Sequence, residues 1–420
     1  MPANWLIRDK LLALGRAVYD YIYPPRRGLP TEVVNEDEAK NERFKMNLVR
    51  WLRISIFIAL SLAAALLGYF AYTTFSDAEQ DSFKREFSSS AVLIEDNLRA
   101  AFQDIKRTAL EQAAIFTYRF PDESQWPNIT FPNYAKVFKA QLNGTNARGM
   151  TFSPLIDART NRKTWEAYAA RAYKSLDLPA SIRASLASWP PSKGIYDLPF
   201  GQDGRKVYSV VPIPGSRYPY LLVPTWQTIP RIYSTFLMFN LHANGPRMLT
   251  IGQAVKARKP ALSDFLALLI DPVTVIRPSS IMYAPIIGFH DRKKVLGMTS
   301  LFFSWDSLLS GSLPSFIDGI ECVIMSSSSL TSYTFSISGS NVAIESIGDA
   351  HNSKYNHLRN MFSIQIDAAQ EFFFSIYPTQ TLENKYKTKT PLYCLIIVLS
   401  SIGKHYLKHE RFFQYYNILW

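Results

Sequence analysis

The feature that most constrains the fold of this chain is an uncharged apolar run near its N-terminus. From Ile54 to Phe75 it reads ISIFIALSLAAALLGYFAYTTF, 22 residues without a charged side chain. A helix of about 20 apolar residues crosses the ~30 Å hydrocarbon core of a bilayer. A cleaved signal peptide is a poorer explanation, because the run is too long and begins more than 50 residues into the chain. We therefore expect a retained transmembrane helix over residues 51–75.

Basic residues are distributed unevenly around this run. Only Lys84 and Arg85 lie close behind it, whereas five lie close before it: Lys40, Arg43, Lys45, Arg50 and Arg53. Because cytosolic flanks are enriched in Lys and Arg, residues 1–50 are predicted to be a cytosolic tail. Its first 23 residues form an amphipathic helix candidate, suited to the inner membrane surface or to a cytosolic partner.

Residues 76–390 are then extracellular or luminal, with the plasma membrane as the expected location. The only two N-x-S/T sequons, at Asn128 and Asn143, lie in this part and are predicted glycosylation sites. The two cysteines, Cys322 and Cys394, give neither a disulfide framework nor a zinc spacing. A hydrophobic core is therefore expected to hold the outer part together.

The charge balance also bears on partners. The chain has 46 Lys and Arg against 34 Asp and Glu, a net charge of +12. These basic residues are scattered, with no basic helix or zinc-finger spacing, so no nucleic-acid partner is predicted. A basic excess in a membrane protein fits flanks that meet lipid headgroups, so membrane lipid is the expected partner.

An apolar stripe follows the membrane run. Its residues are spaced by four and three positions, a heptad rhythm typical of one face of a long helix: Phe87, Ala91, Ile94, Leu98, Ala101 and Ile105. No glycine or proline interrupts residues 71–118, so span and stalk (76–119) can form one nearly continuous helix. The stripe either packs on its own domain or forms the seam of a homodimer, with Ile94, Leu98 and Ile105 at that seam.

Beyond Pro121 the pattern changes to short helices and strands. Helices are predicted over 159–176 and 252–259. Strands are predicted over 206–214, 218–226, 294–305, 321–326, 362–366 and 371–379, with a hairpin over 333–349. A long helix, then mixed segments, then antiparallel strands favour an α+β fold.

Motifs for catalysis are missing from the sequence. It has no G-x-S-x-G, H-E-x-x-H, Walker A or G-x-G-x-x-G pattern, and no D-x-D follows Phe75. Asp349, His351 and His357 lie in a solvated Asn/Ser/Lys-rich loop, which is a poor metal site. No catalytic residue, metal or cofactor is therefore predicted.

Three segments resemble CHASE domains, which are extracellular sensors between two transmembrane helices. They are ARGMTFSPLIDARTNRKTWEAYAA (147–170), IGQAVKARKPALSDFLALL (251–269) and SSIMYAPIIGFHDRKKVLGMTSLFFSWDSLL (279–309). Over residues 80–399 the chain is most similar to the receptor-type guanylate and adenylate cyclases of diatoms and related algae, which share TFSPLID, YAPIIGFHD and YPTQTLE.

The resemblance implies a tandem PAS-like (CHASE/CACHE-type) sensor with antiparallel sheets. Its membrane-distal lobe would cover 120–310 and its proximal lobe 311–389, and the distal lobe would bind the ligand near Asn240, Ser263 and Tyr283. In that family the segment matching 390–403 begins a second span, and a cyclase follows it. Residues 404–420 resemble nothing in the family, so a truncated gene model without its cyclase domain is expected.

The function hypothesis is the ligand-sensing part of a membrane receptor cyclase in cyclic-nucleotide signalling. The ligand is an unidentified small molecule or peptide. Two alternatives remain open: a type II membrane enzyme of the secretory pathway, and an adhesion or scaffold ectodomain.

Overall fold

The structure is a computed structural model that describes residues 36–176, 194–195, 220–229, 237–243, 245–268, 277–366, 370–401 and 404. The helix predicted within residues 1–23, the strand predicted over 206–214 and the tail over 405–420 lie outside these residues. The chain divides into two units, one of residues up to Gln80 together with those from Lys387 onward, and one of Asp81–Tyr386.

Seven helices are named in the described part of the chain. They are α1 (Glu36–Arg119), α2 (Tyr134–Asn143), α3 (Arg162–Ala172), α4 (Gly245–Ala257), α5 (Trp305–Ser312), α6 (Gln380–Tyr386) and α7 (390–401). The predicted span and stalk are both part of α1, which is 84 residues long. No proline lies within it, so nothing removes a backbone hydrogen bond along its length. Among the described residues, α1 is the one helix long and apolar enough to cross a membrane.

In the first unit, α7 packs against the apolar part of α1. Gly68 makes room for this contact, because a Cβ atom there would lie 2.5 Å from Cδ1 of Leu395. At the end of the apolar part, the carboxylate of Glu79 accepts hydrogen bonds from the N–H of Thr388, at 3.2 Å, and from its hydroxyl.

The second unit contains thirteen strands in its described part. They are β1 (Gly149–Pro154), β2 (Ile156–Asp157), β3 (Leu221–Leu222), β4 (Gln227–Ile229), β5 (Ala261–Leu262), β6 (Leu266–Leu268), β7 (Arg277–Ile287), β8 (Val295–Ser304), β9 (Asp318–Ser326), β10 (Ser332–Ser338), β11 (Asn341–Ile347), β12 (Asn360–Gln365) and β13 (Glu371–Pro378).

Two antiparallel sheets organise these strands. The first sheet has six strands in the order β4-β1-β8-β7-β5, with β6 also paired to β7. The second sheet has five strands in the order β11-β10-β9-β13-β12, and β2 pairs with β3 alone. The second unit thus combines helices with antiparallel sheets. The predicted α+β class with a long N-terminal apolar helix is confirmed.

The stripe of α1 packs inside its own unit. Ile94, Leu98 and Ile105 are each 0% exposed in the single chain. Phe102 of the same helix contacts Phe303 of the first sheet, with ring centroids 5.8 Å apart. Residues without exposed surface have none left for a second copy. The stripe therefore packs on its own domain, which is the first of the two alternatives, and the homodimer stays a prediction.

The two sheets meet at a cluster of aromatic rings. Trp305 lies 5.5 Å from Phe102 of α1 and 4.7 Å from Phe372 of the second sheet, between ring centroids. Phe265, between β5 and β6, lies 5.3 Å from Phe372 and 4.9 Å from Tyr333. The cluster buries apolar surface from both sheets against the same helix.

Candidate functional site

The first sheet has two different faces, because successive side chains of a strand point to opposite sides. One face packs on α1. The ring of Phe152 stacks on Phe116 with centroids 4.2 Å apart, and the hydroxyl of Thr299 donates to the carbonyl of Ala109 at 3.1 Å. This face holds the sheet to the helix.

The opposite face, here called the polar face, consists of Thr151, Ser153, Tyr283, Met298 and Ser300. They share a side because Thr151 and Tyr283 both pair with Ser300, and Ser153 pairs with Met298. All five are buried, and Ser153 and Tyr283 are 0% exposed. Antiparallel sheets commonly leave one face in water, but this one buries polar side chains on the side away from the helix.

Two hydroxyls of the polar face have no partner among the residues that the structure describes. Thr151 and Ser300 hydrogen-bond each other at 2.9 Å, whereas Ser153 Oγ and Tyr283 Oη make no hydrogen bond. A buried polar group left unpaired costs about 1–3 kcal/mol. Since most buried polar groups in native proteins are satisfied, two such groups on one face require an explanation.

Helix α4 brings a positive charge to this face. It packs against β7 and β5, and its buried stripe consists of Arg247, Thr250, Ile251 and Ala254. Arg247 is 7% exposed, and its Nε makes no hydrogen bond. Its guanidinium carbon lies 5.5 Å from the ring centroid of Phe239.

Arg247 and Tyr283 each affect the pKa of the other. Burial lowers the pKa of the Arg247 guanidinium, and the nearby Tyr283 phenol opposes that shift. Burial raises the pKa of Tyr283, and Arg247 opposes that shift in turn. An arginine guanidinium stays protonated in proteins, and a phenol whose pKa is raised stays neutral at pH 7, so the pair is a buried cation beside a neutral hydroxyl.

Helix α3 covers another part of the polar face. Trp226 precedes Gln227 at the start of β4, and by strand alternation it points to the same side as Thr228, which pairs with Thr151. Its ring packs edge-on against Trp165 of α3, with centroids 5.6 Å apart. Trp165 is 0% exposed, and its indole N–H finds no hydrogen-bond partner in the described ranges of the chain.

Of the three predicted ligand residues, the structure brings Ser263 and Tyr283 together. Ala261 pairs with Tyr283, and the Ser263 N–H donates to the Ile281 carbonyl at 2.9 Å. The two are therefore diagonal neighbours on adjacent strands, with Cα atoms about 7–8 Å apart.

Only Tyr283 has a free polar group. The Ser263 hydroxyl accepts the Ile281 N–H at 2.9 Å and donates to the Asp264 carbonyl at 3.0 Å. The Ser263 hydroxyl thus uses its hydrogen bonds within the chain, where it continues the strand pairing beyond the end of β5. Its predicted hydrogen bond to a ligand stays a prediction.

Asn240 also has a structural role. Its side-chain oxygen accepts the N–H groups of Val223, at 2.9 Å, and of His242, at 3.2 Å. It therefore holds the segment before α4 against β3. His242 beside it is 0% exposed, and burial lowers its pKa, which the carbonyl of Leu221 partly offsets.

The two sequon asparagines differ in accessibility. Asn143 is exposed at the last residue of α2, whereas Asn128 is half-buried and its side-chain oxygen has no hydrogen-bond partner. Thr130, the third residue of the Asn128 sequon, accepts the indole N–H of Trp226 at 3.0 Å. Asn143 is thus the more open of the two predicted glycosylation sites.

A second polar cluster lies on the second sheet. The ring of His351 stacks on Tyr377 with centroids 3.8 Å apart, and its two nitrogens hydrogen-bond Asp349 and Asn356. Burial acts to lower the pKa of His351, but these hydrogen bonds and the charge of Asp349 raise it overall. Within the described residues no group of three or more His, Cys, Asp and Glu is arranged to hold a metal ion.

Sequence reasoning missed Arg247 and Trp165 as candidate site residues. The helix containing Arg247 was predicted to begin at residue 252, but α4 begins at Gly245. Pro246 lies in its first turn, where proline is favoured because no hydrogen bond is lost. With this start, Arg247 is the one charged residue on the buried side of α4, next to Thr250, Ile251 and Ala254. A charged residue at an otherwise uncharged helix face is the sequence signal that could have identified it.

Comparisons with known proteins add remote structural similarities. No protein-family model matches the sequence, and no curated protein does. An extracellular ligand binding receptor from Desulfohalobium retbaense is 9% identical, with a TM-score of 0.35 and coverage of 70% of this chain. This chain spans only 40% of that receptor's length.

Two sensory domains of Campylobacter jejuni are similar at the same level. The periplasmic sensory domain of the chemoreceptor Tlp1 is 9% identical, with a TM-score of 0.35, covering 73% of this chain and 99% of that one. The ligand-binding domain of Tlp3, solved in complex with L-valine, is 8% identical, with a TM-score of 0.33, covering 75% and 98%. Similarity this remote does not assign a ligand to this chain.

Proposed function

We propose that this chain is the ligand-sensing part of a membrane receptor, anchored by α1 and exposing residues 76–390 outside the cytosol. One observation carries the proposal: the polar face is buried, yet Ser153, Tyr283 and Trp165 present polar groups that nothing in the described chain satisfies. Sites for small molecules combine apolar walls with a few such groups. Met298 and Trp226 supply apolar surface here.

A thermal-shift screen on the purified full-length chain in detergent tests this function. Compounds that bind the polar face should raise the Tm of the wild type, and Ser153→Leu, which fills space on that face, should abolish the shift. The matched control is Ser310→Leu, a change outside the polar face. Compounds that stabilise Ser153→Leu as strongly as the wild type bind elsewhere and contradict the assignment.

The proposed orientation has its own test. Basic residues before α1 favour a cytosolic N-terminus, so the outer residues should receive N-glycans. Glycosidase treatment should increase gel mobility, and Asn143→Gln should remove most of the shift because Asn143 is the more exposed sequon. An unchanged mobility, with residues 76–390 protected from protease in intact cells, would reverse the orientation.

The finer proposal, from the sequence resemblance, is that the sensor regulates a guanylate or adenylate cyclase at the plasma membrane. Transcript sequencing across the codons for 395–420 tests it. A reading frame that continues into a second span and a cyclase domain would support the proposal, and one without either would remove its basis.

A homodimer remains part of this proposal, but its seam must differ from the predicted one. If copies associate along α1, they use exposed positions such as Val92, Asp96, Gln103 and Leu110. Single cysteines at 96 and 103 should crosslink between chains, whereas cysteines at 94, 98 and 105 should not. Absence of crosslinks at 96 and 103 would exclude this seam.

A further inference from the structure

The strongest unexplained feature of the polar face is the charge of Arg247. Its side chain is buried, its Nε has no hydrogen-bond partner, and no ion pair joins it to a residue that the structure describes. Its described neighbours are the Phe239 ring and the Tyr283 phenol, neither of which is negatively charged. Charged side chains are almost never fully buried unless paired.

Other arginine side chains near this face, one largely buried and one partly exposed, show the usual arrangement. Arg162 of α3, with a side chain 14% exposed, holds the carboxylate of Glu166 at 2.8 Å. Arg277 of β7 holds Asp306 at 2.7 Å. Among the residues that the structure describes, the missing counter-charge is therefore specific to Arg247, which is what a site for an anion would show.

Resting on the ligand-sensing function proposed above, we propose that the polar face binds a small carboxylate, held by the Arg247 guanidinium and the Tyr283 hydroxyl. A guanidinium presents a planar fork of N–H donors that matches the two oxygens of a carboxylate. Tyr283 has a free O–H to donate, and Trp165 adds a free indole N–H over the same face. A phosphate dianion would leave one charge uncompensated beside this single cation.

The remaining walls constrain the rest of the ligand. Phe239, Met298 and Trp226 are at most 6% exposed and provide aromatic or aliphatic surface. A ligand with one carboxylate and a compact apolar body therefore fits the chemistry of the site.

The first experiment requires no ligand. Burying a cation without a partner destabilises the folded state, so Arg247→Met should leave the Tm of the full-length chain unchanged or raise it. The matched control, Arg162→Met, removes a paired guanidinium and should lower the Tm. If Arg247→Met lowers the Tm as much as Arg162→Met does, Arg247 has a structural partner and the proposal is overturned.

The second experiment identifies the ligand chemistry by thermal shift on the full-length chain in detergent. The probes are acetate, butyrate, benzoate and phenylacetate, each compared with its neutral amide and with inorganic phosphate. At least one carboxylate should raise the Tm while its amide does not. Its affinity should fall by about 30-fold or more in Arg247→Met, because a buried charge loses its partner, and by less in Tyr283→Phe.

The other outcomes separate the two proposals. If carboxylates and their amides raise the Tm equally, and Ser153→Leu abolishes both increases, the polar face still binds a ligand. The proposal that this ligand is a carboxylate would then be overturned. A shift from phosphate alone would overturn the carboxylate as well. No shift from any probe would overturn the carboxylate, while the broader screen above still decides whether the polar face binds a ligand at all.

Discussion

The two sheets of the second unit both carry polar side chains away from the core they share, but they satisfy them differently. On the second sheet, the Thr334 hydroxyl donates to the Gly348 carbonyl at 2.8 Å, and Ser375 accepts the Arg359 guanidinium at 2.8 Å. On the first sheet, Ser153 and Tyr283 are equally buried and have no hydrogen-bond partner in the described part of the chain.

The difference teaches how to separate a supporting polar cluster from a binding site. A supporting cluster completes its hydrogen bonds within the chain, as Tyr355 does by donating to Glu383 at 2.7 Å. A face that binds a ligand, as proposed here for the first sheet, would instead leave donors free for a molecule that arrives later. Glu321 and Ser346 are exceptions on the second sheet, since one carboxylate oxygen of Glu321 and the hydroxyl of Ser346 have no partner among the described residues. Burial together with Glu345 raises the pKa of Glu321.

The largest expected effect comes from removing the ring cluster that joins the two sheets. Trp305→Ala deletes a fully buried side chain and should lower the free energy of unfolding by about 3–5 kcal/mol, from lost burial and the cavity left behind. Urea unfolding followed by circular dichroism measures it. Phe316→Ala, at a side chain 64% exposed, should change it by less than about 0.5 kcal/mol. Similar values for the two variants would refute a shared core.

The next largest effect compares the loss of stability when the hydroxyl is removed from each of two buried tyrosines, one on each sheet's side. Tyr355→Phe removes a hydroxyl bonded to a carboxylate and should cost about 1.5–3 kcal/mol. Tyr283→Phe removes an unpaired hydroxyl and should cost nothing or slightly stabilise the ligand-free chain. The measurement is the same urea unfolding for both. Equal losses would mean that the Tyr283 hydroxyl has a partner in the folded chain.

A smaller effect separates two serines of the first sheet. Ser263→Ala leaves the buried Ile281 N–H unpaired and should cost about 1–2 kcal/mol. Ser153→Ala removes a hydroxyl that bonds nothing, so it should be close to neutral. Tm values of the two variants in detergent check the difference. A larger loss for Ser153→Ala would show that the polar face is structural.

The smallest effect concerns pH and the second sheet. The folded pKa of His351 is raised by its bonds to Asp349 and Asn356, so its contribution to stability is fully present below an unfolded pKa of about 6.5. That contribution is lost as pH rises through the folded pKa. The Tm difference between wild type and His351→Asn should therefore shrink from about pH 5.5 to about pH 8. A difference that grows with pH would contradict the raised pKa.

Local patterns predicted much of the fold. The strand predicted over 294–305 is β8, Val295–Ser304, and that over 371–379 is β13, Glu371–Pro378. The hairpin predicted over 333–349 is β10 and β11. These segments have the β-branched and aromatic residues, with a turn between them, that define strands locally. The uninterrupted α1 also follows from its sequence, since it has no proline.

The dimer seam and the site depended on long-range contacts. A heptad stripe looks the same whether it packs on a second helix or on a sheet of its own chain, so Leu98 alone does not decide between them. Tyr283 lies on a buried sheet face, and its role in ligand binding stays a prediction. The partners of Ser263 and Asn240 are backbone groups brought close only by folding. Identifying Arg247 as a candidate site residue requires the three-dimensional structure, because only the structure shows that no described carboxylate lies beside it.

The stripe on α1 also restricts how the gene can change. Its buried side chains run from Phe83 to Phe116, and those of Phe102 and Phe116 pack on the first sheet, whose register is fixed elsewhere. Each residue added or removed turns the rest of a helix by about 100°, so a single-codon deletion between these positions would expose half of the stripe. Seven codons change the direction by only about 20°. Insertions and deletions in this stretch should therefore survive selection only in whole heptads.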